Sequence, residues 1–199
     1  MSDWRADKRA RTRARIQDAA LDLFARHGYD QVTVERVAAA AGVSHTTFFR
    51  YFPTKEDVVL RDDYDPLIAR YVSARTETDS VERVRLGLAD AFMHLDTAAL
   101  ETARERTRLM LSAPSLRARV WESQVATQRL LEEVLHGSTP GPVPLATRAI
   151  AAACTAVLTT TVATWAEDGP TGALPSMVDE ALAALRPPTP VTWAQRRQP

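Results

Sequence analysis

Between Thr33 and Val58 the chain reads TVERVAAAAGVSHTTFFRYFPTKEDV, and this stretch leaves few folds open. Thr33 can cap a short helix whose apolar positions Val34, Val37, Ala38 and Ala41 recur at helical spacing and form one buried stripe. Gly42 supplies the positive-φ residue that ends this helix, and Ser44 can cap the next. There Phe48 and Phe52 lie four apart and anchor the helix inward, which leaves His45, Thr46 and Phe49 on the opposite, weakly polar face. Pro53 breaks the chain and Thr54 can cap a third helix, with Asp57 where a capping box places its carboxylate, although Glu is usual there. Two short helices hinged at a glycine, one with an uncharged outer face, have the layout of a helix-turn-helix that enters a duplex groove.

Charge is distributed to match. Lys plus Arg and Asp plus Glu are 25 each, so the 199-residue chain is neutral as a whole. The first 52 residues hold nine basic against six acidic groups, and the remainder sixteen against nineteen, so the positive field sits on the first quarter. Arg5, Lys8, Arg9, Arg11, Arg13 and Arg15 form a run interrupted by Asp7, and on a helix Lys8, Arg11 and Arg15 share a face. Such an arm suits phosphates or a minor groove, and it equally suits a solvated or frayed terminus. From Ile16, the positions Ile16, Ala20, Leu23 and Phe24 make an amphipathic helix that His27 and Gly28 end, bracing the reading helix.

The rest reads as helix almost to its end. A helix from Lys55 is expected past Tyr64 toward Tyr71, with a kink or local break at Pro66. Asp79 or Ser80 can cap a helix carrying Leu86, Ala89, Phe92, Met93 and Leu95 on its apolar side, and another covers about Ala98 to Leu111. Pro114 starts a long one in which Leu116, Val120, Trp121, Val125, Leu130, Leu131, Val134 and Leu135 recur at threes and fours. After a Pro- and Gly-rich loop from Ser138 to Pro144, two helices read Leu145 to Glu167 and Ser176 to Leu185. Beyond Pro187 the tail reads as unstructured. Ala149 to Trp165 is uncharged and nearly long enough to span a bilayer, but its Ala and Thr gain little in lipid, so it reads as a helix buried on several sides. An apolar share of 45% argues for a folded chain, and the single Cys154 excludes an internal disulfide framework and fits a reducing cytoplasm. The charged amino terminus lacks the apolar core of a signal peptide.

The block GVSHTTFFRYFPTKED resembles the recognition region of the TetR family of transcriptional regulators, most specifically at Ala41, Gly42, Val43, Ser44, Tyr51, Phe52, Lys55 and Asp57, and the likeness extends back to about Arg9. Two departures stand out. The family commonly has Tyr at the position of Phe49, and Lys or Arg then Gly at His45 and Thr46, so Phe49 is expected on a thymine methyl or sugar rather than a phosphate. The resemblance implies that Thr33 and Lys55, with the Lys55 ammonium, face phosphates, and that Ser44, His45, Thr46 and Thr47 reach base edges while Arg50 and Tyr51 grip the flanking backbone.

It further implies an all-α fold: an N-terminal three-helix helix-turn-helix DNA-binding domain over residues 1–55, with the motif at about 33–52, then a C-terminal helical bundle over 56–186 for effector binding and dimerisation, and a flexible tail over 187–199. The expected total is about nine helices. The last two helices would pair with their twins, a role that fits the uncharged segment and the stripe Met177, Val178, Ala181, Leu182, Leu185. Such a homodimer presents its reading helices to half-sites of a double-stranded palindromic operator. Phe92, Met93, Leu109, Met110, Trp121, Leu158 and Trp165 are the expected pocket wall, though each also fits plain core. The stretches FRYFPTKEDVVLRDDYDPLI, RLMLSAPSLRARVWE and WAEDG followed by VDEALAAL look like those of actinobacterial relatives that sense fatty acyl-coenzyme A thioesters, so a small hydrophobic effector of that kind is the implied ligand.

Other classes fit less well. Glu133 and His136 have the Glu-x-x-His spacing of di-iron bundles and Asp62, Asp63 and Asp65 crowd together, but that site needs a second such motif, and His27, His45 and His94 lack a Glu three residues before them. No phosphate-binding glycine loop, zinc-ligand cluster or nucleophile elbow is legible, so no enzyme, cofactor or metal is expected. A helical adaptor that binds only protein would fit the bundle but leave the face from His45 to Phe49 unexplained.

Overall fold

The computed structural model describes residues 2–60 and 64–185, without side chains at 2, 3, 5–7 and 64. The described residues form α1 (Ser2–His27), α2 (Val34–Ala40), α3 (His45–Tyr51), α4 (Lys55–Leu60), α5 (Tyr64–Ala74), α6 (Ser80–Phe92), α7 (Thr97–Ser112), α8 (Pro114–His136), α9 (Leu145–Asp168), a 3-10 turn at Thr171–Ala173 and α10 (Leu174–Ala183). The helix expected from Lys55 to Tyr71 is described as α4 and α5, and residues 61–63 between them lie outside the described residues. The chain is helical from Tyr64 through Pro66 to Ala74. Asp62, Asp63 and the expected tail over 187–199 lie outside the described residues.

Two apolar cores organise the chain. One joins Ile16, Ala20 and Phe24 of α1 to Val37, Phe48, Phe52, Val58 and Val59, and is closed by Ala113 and Leu116 at the junction of α7 and α8. The bundle therefore supplies part of the floor on which α2 and α3 stand. The other core gathers Val72, Val84, Leu88, Leu131, Cys154, Trp165, Val178 and Leu182 from α5, α6, α8, α9 and α10. Within it α5 and α6 cross so closely that a Cβ on Gly87 would lie 2.7 Å from the Val72 Cα.

Polar side chains fix the helix ends and crossings. Asp79 and Asp96 cap α6 and α7 by accepting the Glu82 and Ala99 N–H groups at 2.9 and 2.8 Å. The Arg108 guanidinium donates to the Ala166 carbonyl at 2.6 Å, near the C-terminal end of α9, where carbonyls lack helical partners. Arg85 ties α6 to α10 through Asp179.

α9 is the one described helix long and apolar enough to cross a membrane by length and composition. It packs on α6, α7, α8 and α10 and buries Ala151, Cys154, Thr161 and Trp165, while Ala149, Ala156, Thr160 and Thr164 remain exposed along its length. Two of the five residues of the expected pairing stripe on and just after α10 are buried within the chain, and Met177, Ala181 and Leu185 stay half-buried. Val178 and Leu182 are 1% and 0% exposed, because α10 lies on α6 and α9 and needs an apolar side of its own there.

Candidate nucleic-acid interface

The motif is held open by its caps. The Thr33 hydroxyl accepts the Arg36 N–H at 3.4 Å, starting α2. Gly42, at φ +62°, turns the chain, and the Val43 N–H reaches back to the Ala38 carbonyl at 2.9 Å. Ser44 then starts α3 by accepting the Thr47 N–H at 3.1 Å, and its own hydroxyl donates to Thr47 Oγ1 at 2.9 Å. Thr54 and Asp57 form a reciprocal capping box at the start of α4: the Thr54 N–H donates to Asp57 Oδ2 at 2.9 Å and the Asp57 N–H to Thr54 Oγ1 at 3.2 Å. Asp does here what Glu does elsewhere.

Phe48 and Phe52 are both fully buried, which fixes the rotation of α3 and turns its other side outward. On that side Ser44, His45, Thr46 and Arg50 are exposed, Phe49 is 39% exposed, and Thr47 is half-buried. The Phe49 ring packs edge-on to His45 at 4.8 Å and Phe48 at 5.3 Å. His45 also meets Glu35 of α2, with Nε2 3.3 Å from Oε1. The Glu35 carboxyl is held below its ordinary range, first by its own backbone N–H, then by the Thr33 hydroxyl, with His45 adding less. Arg50 lies over the Tyr51 ring at 5.6 Å, and Tyr51 is itself half-buried against the first core.

The Lys55 ammonium, expected on a phosphate, is turned inward. It donates to the Tyr29 and Val32 carbonyls at 2.7 and 3.0 Å and sits 4.0 Å above the Tyr29 ring, so it ties the loop after α1 to α4 rather than facing a phosphate. The connection satisfies two loop carbonyls that no helix or strand pairs. Beside it the Tyr29 hydroxyl donates to Glu56 at 2.8 Å, and burial, followed by that bond, pushes the phenol well above its ordinary value.

The basic run is helical, since α1 begins at Ser2. Lys8, Arg9, Arg11 and Arg15 are exposed and Arg13 is half-buried, and the buried face of α1 begins at Ile16.

A second concavity, of about 170 Å³, lies inside the bundle. Of the expected wall residues Phe92, Met110, Leu158 and Trp165 line it, and Met93, Leu109 and Trp121 do not. α6 ends at Phe92 and the chain turns, leaving Met93 85% exposed. Leu109 packs on the first core from the side of α7 facing the head. Trp121, 70% exposed, borders a groove between α8 and α9 with Val125, Ala152 and Ala156. Missing from the expectation are Ile68, Leu88, Leu100, Val162 and the polar quartet Asp65, Arg106, Thr107 and Thr127. The spacing of Leu100, Ala103, Thr107 and Met110 puts them on one face of α7, which was the available signal, and the structure buries Arg106 beside that face. Among the described residues no group of three or more His, Cys, Asp or Glu is arranged to hold a metal, and His136 is 3.1 Å from the Gly141 carbonyl.

Residues 16–61 match the family described as bacterial regulatory proteins, tetR family, and residues 78–190 match the MftR C-terminal domain. The regulator MftR of Mycobacterium tuberculosis (strain ATCC 25618 / H37Rv) is 32% identical over 114 residues, 56% of this chain and 57% of that one. The transcriptional repressor AcnR of Corynebacterium diphtheriae is 32% identical over 126 residues, 62% of this chain and 60% of that one. The chain thus spans little more than half the length of these curated relatives. Among solved structures, the fatty acid degradation regulator FadR of Bacillus halodurans is 25% identical with a TM-score of 0.51, covering 88% of this chain and 96% of that one. FadR of Thermus thermophilus, solved in complex with lauroyl-CoA, shares the fold at 24% identity and a TM-score of 0.53, covering 89% of this chain and 98% of that one. The chain belongs to the TetR family of bacterial regulatory proteins, with a C-terminal domain of the MftR type, and so to a family of transcriptional regulators rather than enzymes.

Proposed function

We propose that the chain is a ligand-responsive, DNA-binding transcriptional regulator of the cytoplasm, a repressor that binds a palindromic operator as a homodimer and is released by a small hydrophobic effector. The observation that carries this reading is the outer side of α3, where His45, Thr46, Phe49 and Arg50 are exposed while Phe48 and Phe52 are sealed inside. A seven-residue helix whose exposed side is mostly uncharged has the dimensions and chemistry for a major groove. Ser44, His45, Thr46 and Thr47 meet base edges there, Phe49 a thymine methyl or sugar, and Arg50 and Tyr51 the backbone, with Thr33 at the start of α2 beside it.

The dimer forms through the last two helices, by the uncharged exposed side of α9 and the half-buried Met177 and Ala181 of α10 and Leu185 just after it, with Trp121 of α8 beside them across the adjoining groove. Two reading helices then address half-sites about one helical turn, roughly 34 Å, or a multiple apart. The effector enters the bundle cavity, and a fatty acyl-coenzyme A is the specific form we infer, in keeping with the ligand held by the T. thermophilus regulator of the same fold. At about 170 Å³ the cavity takes one end of an acyl chain, so a long chain requires the helices to part. That parting favours a dimer shape with altered head spacing, and a coupling of roughly 1–3 kcal/mol gives an induction of about 5–150-fold.

The test is selection of bound duplexes from a random pool, with lauroyl-coenzyme A added to the recovered complex. An enriched inverted repeat that the thioester releases supports the reading; a pool that never enriches any sequence refutes it.

A further inference from the structure

The start of α4 is bonded not only to itself but to the bundle. Arg119, on α8, donates from Nη1 to Thr54 Oγ1 at 2.8 Å and from Nη2 to Asp57 Oδ1 at 3.1 Å, the two side chains that already make the capping box. Asp57 is 8% exposed, so Arg119 is the cation that compensates a buried carboxylate. The fork of a guanidinium is needed because the two acceptors belong to different residues, and a lysine ammonium lacks that span. Arg119 is steadied in turn by Glu122 at 3.3 Å.

Position makes this contact more than a local brace. Thr54 follows Tyr51, the last residue of α3, by three residues, and between them Phe52 is fully buried and Pro53 stiffens the backbone. The orientation of α3 is thus pinned on one side by Phe48 and Phe52, and at its exit by whatever holds Thr54. Eight residues further along α8, the Thr127 hydroxyl donates to Asp65 of α5 at 3.3 Å, and both line the bundle cavity. One helix therefore touches the exit of the reading helix and the wall of the cavity.

We propose that Arg119 is a positioning residue for duplex binding, a guanidinium clamp that sets the angle of α3 by fixing the Thr54–Asp57 box to α8, and that movement of α8 reaches the reading helix through it. This rests on the DNA-binding reading above. Arg119 contacts no phosphate in this scheme; it acts through the cap.

The experiment uses the full chain and the duplex enriched from the random pool. The Arg119→Met variant is expected to bind that duplex about tenfold more weakly at a temperature well below its melting point. The dependence of affinity on salt should stay that of the wild type, because no phosphate contact is lost. Arg119→Lys should recover part of the loss. Asp57→Asn combined with Arg119→Met should cost less than the two changes added together, measured on operator affinity. A folded Arg119→Met protein with wild-type operator affinity overturns the proposal, as does a loss accompanied by a shallower salt slope, which would make Arg119 a direct phosphate contact. Where Arg119→Met does not fold, Arg119→Lys and Asp57→Asn decide: additive effects on operator affinity overturn the clamp, and coupled effects support it. Failure of the wild type to enrich any duplex strikes the DNA-binding reading itself, so the two failures are distinguishable.

Discussion

The reading head and the bundle solve the same problem, holding helices in place, by different means. α2 and α3 have seven residues each, too short to be stable alone, since isolated helices under about 12–15 residues are marginal in water. Each starts on a bonded side-chain cap, Thr33 or Ser44, Phe48 and Phe52 pin α3, and the Thr54–Asp57 box starts α4 behind it. In the bundle α6 and α7 keep the Asp79 and Asp96 caps, but α8 and α9, with 23 and 24 residues, begin without any side-chain cap, and α9 is held by six buried residues spread from Ala151 to Ala166. Short elements demand particular residues, whereas long ones accept any apolar residue of suitable size. Function is consequently written in the head and only outlined in the bundle.

The sharpest way to break this contrast is to open each core. Phe48→Ala should destabilise the chain by about 3–5 kcal/mol and abolish duplex binding, whereas Leu158→Ala, at a half-buried cavity wall, should cost less and leave the selected operator sequence unchanged. Thermal unfolding and duplex titration of both variants check it, and equal loss of binding would erase the distinction.

Two glycines sharpen it next. A Cβ on Gly87 meets Val72 backbone at 2.7 Å, so Gly87→Ala should cost about 1–3 kcal/mol or more by pushing α5 from α6. Gly42 has nothing within 4 Å, and Gly42→Ala should cost about 1–2 kcal/mol through its φ of +62° alone. Denaturant melts should rank them in that order. The head then fails by conformation and the bundle by space.

The smallest effect belongs to the bundle alone. Cys154 is the only cysteine in the chain and is 1% exposed, and burial pushes its thiol up to about 11. The folded value lies above that of an unfolded thiol, so this contribution is fully present below the unfolded pKa and is lost as pH rises toward 11, by at most about 1.4 kcal/mol per pH unit. Melts between pH 8 and 10 should show the slope in the wild type and lose it in Cys154→Ala. Iodoacetamide at pH 8 should label Cys154 only as fast as the bundle opens, because the thiolate is the reactive form.

What could be read from sequence follows the same division. The rotation of α3 was legible because two phenylalanines four apart allow one solution, and the caps because their spacing is local. Lys55 was not, since a bond from its ammonium to carbonyls 23 and 26 residues earlier leaves no trace in the neighbouring sequence. Arg119 and Thr54 are likewise joined by packing across 65 residues. In the bundle, helical periodicity found the helices but not which apolar side faces the cavity. Met93 kept the period one residue after α6 had ended, and Trp121 fits the repeat of α8 while standing at its groove with α9.

The central claim is that the outer side of α3 meets base edges. A photo-crosslinking phenylalanine analogue at position 49 of the full chain, irradiated with the selected duplex, tests it directly. A crosslink to a base in the major groove within each half-site is expected; crosslinks to protein alone, with the duplex still bound, would show that Phe49 does not face the bases.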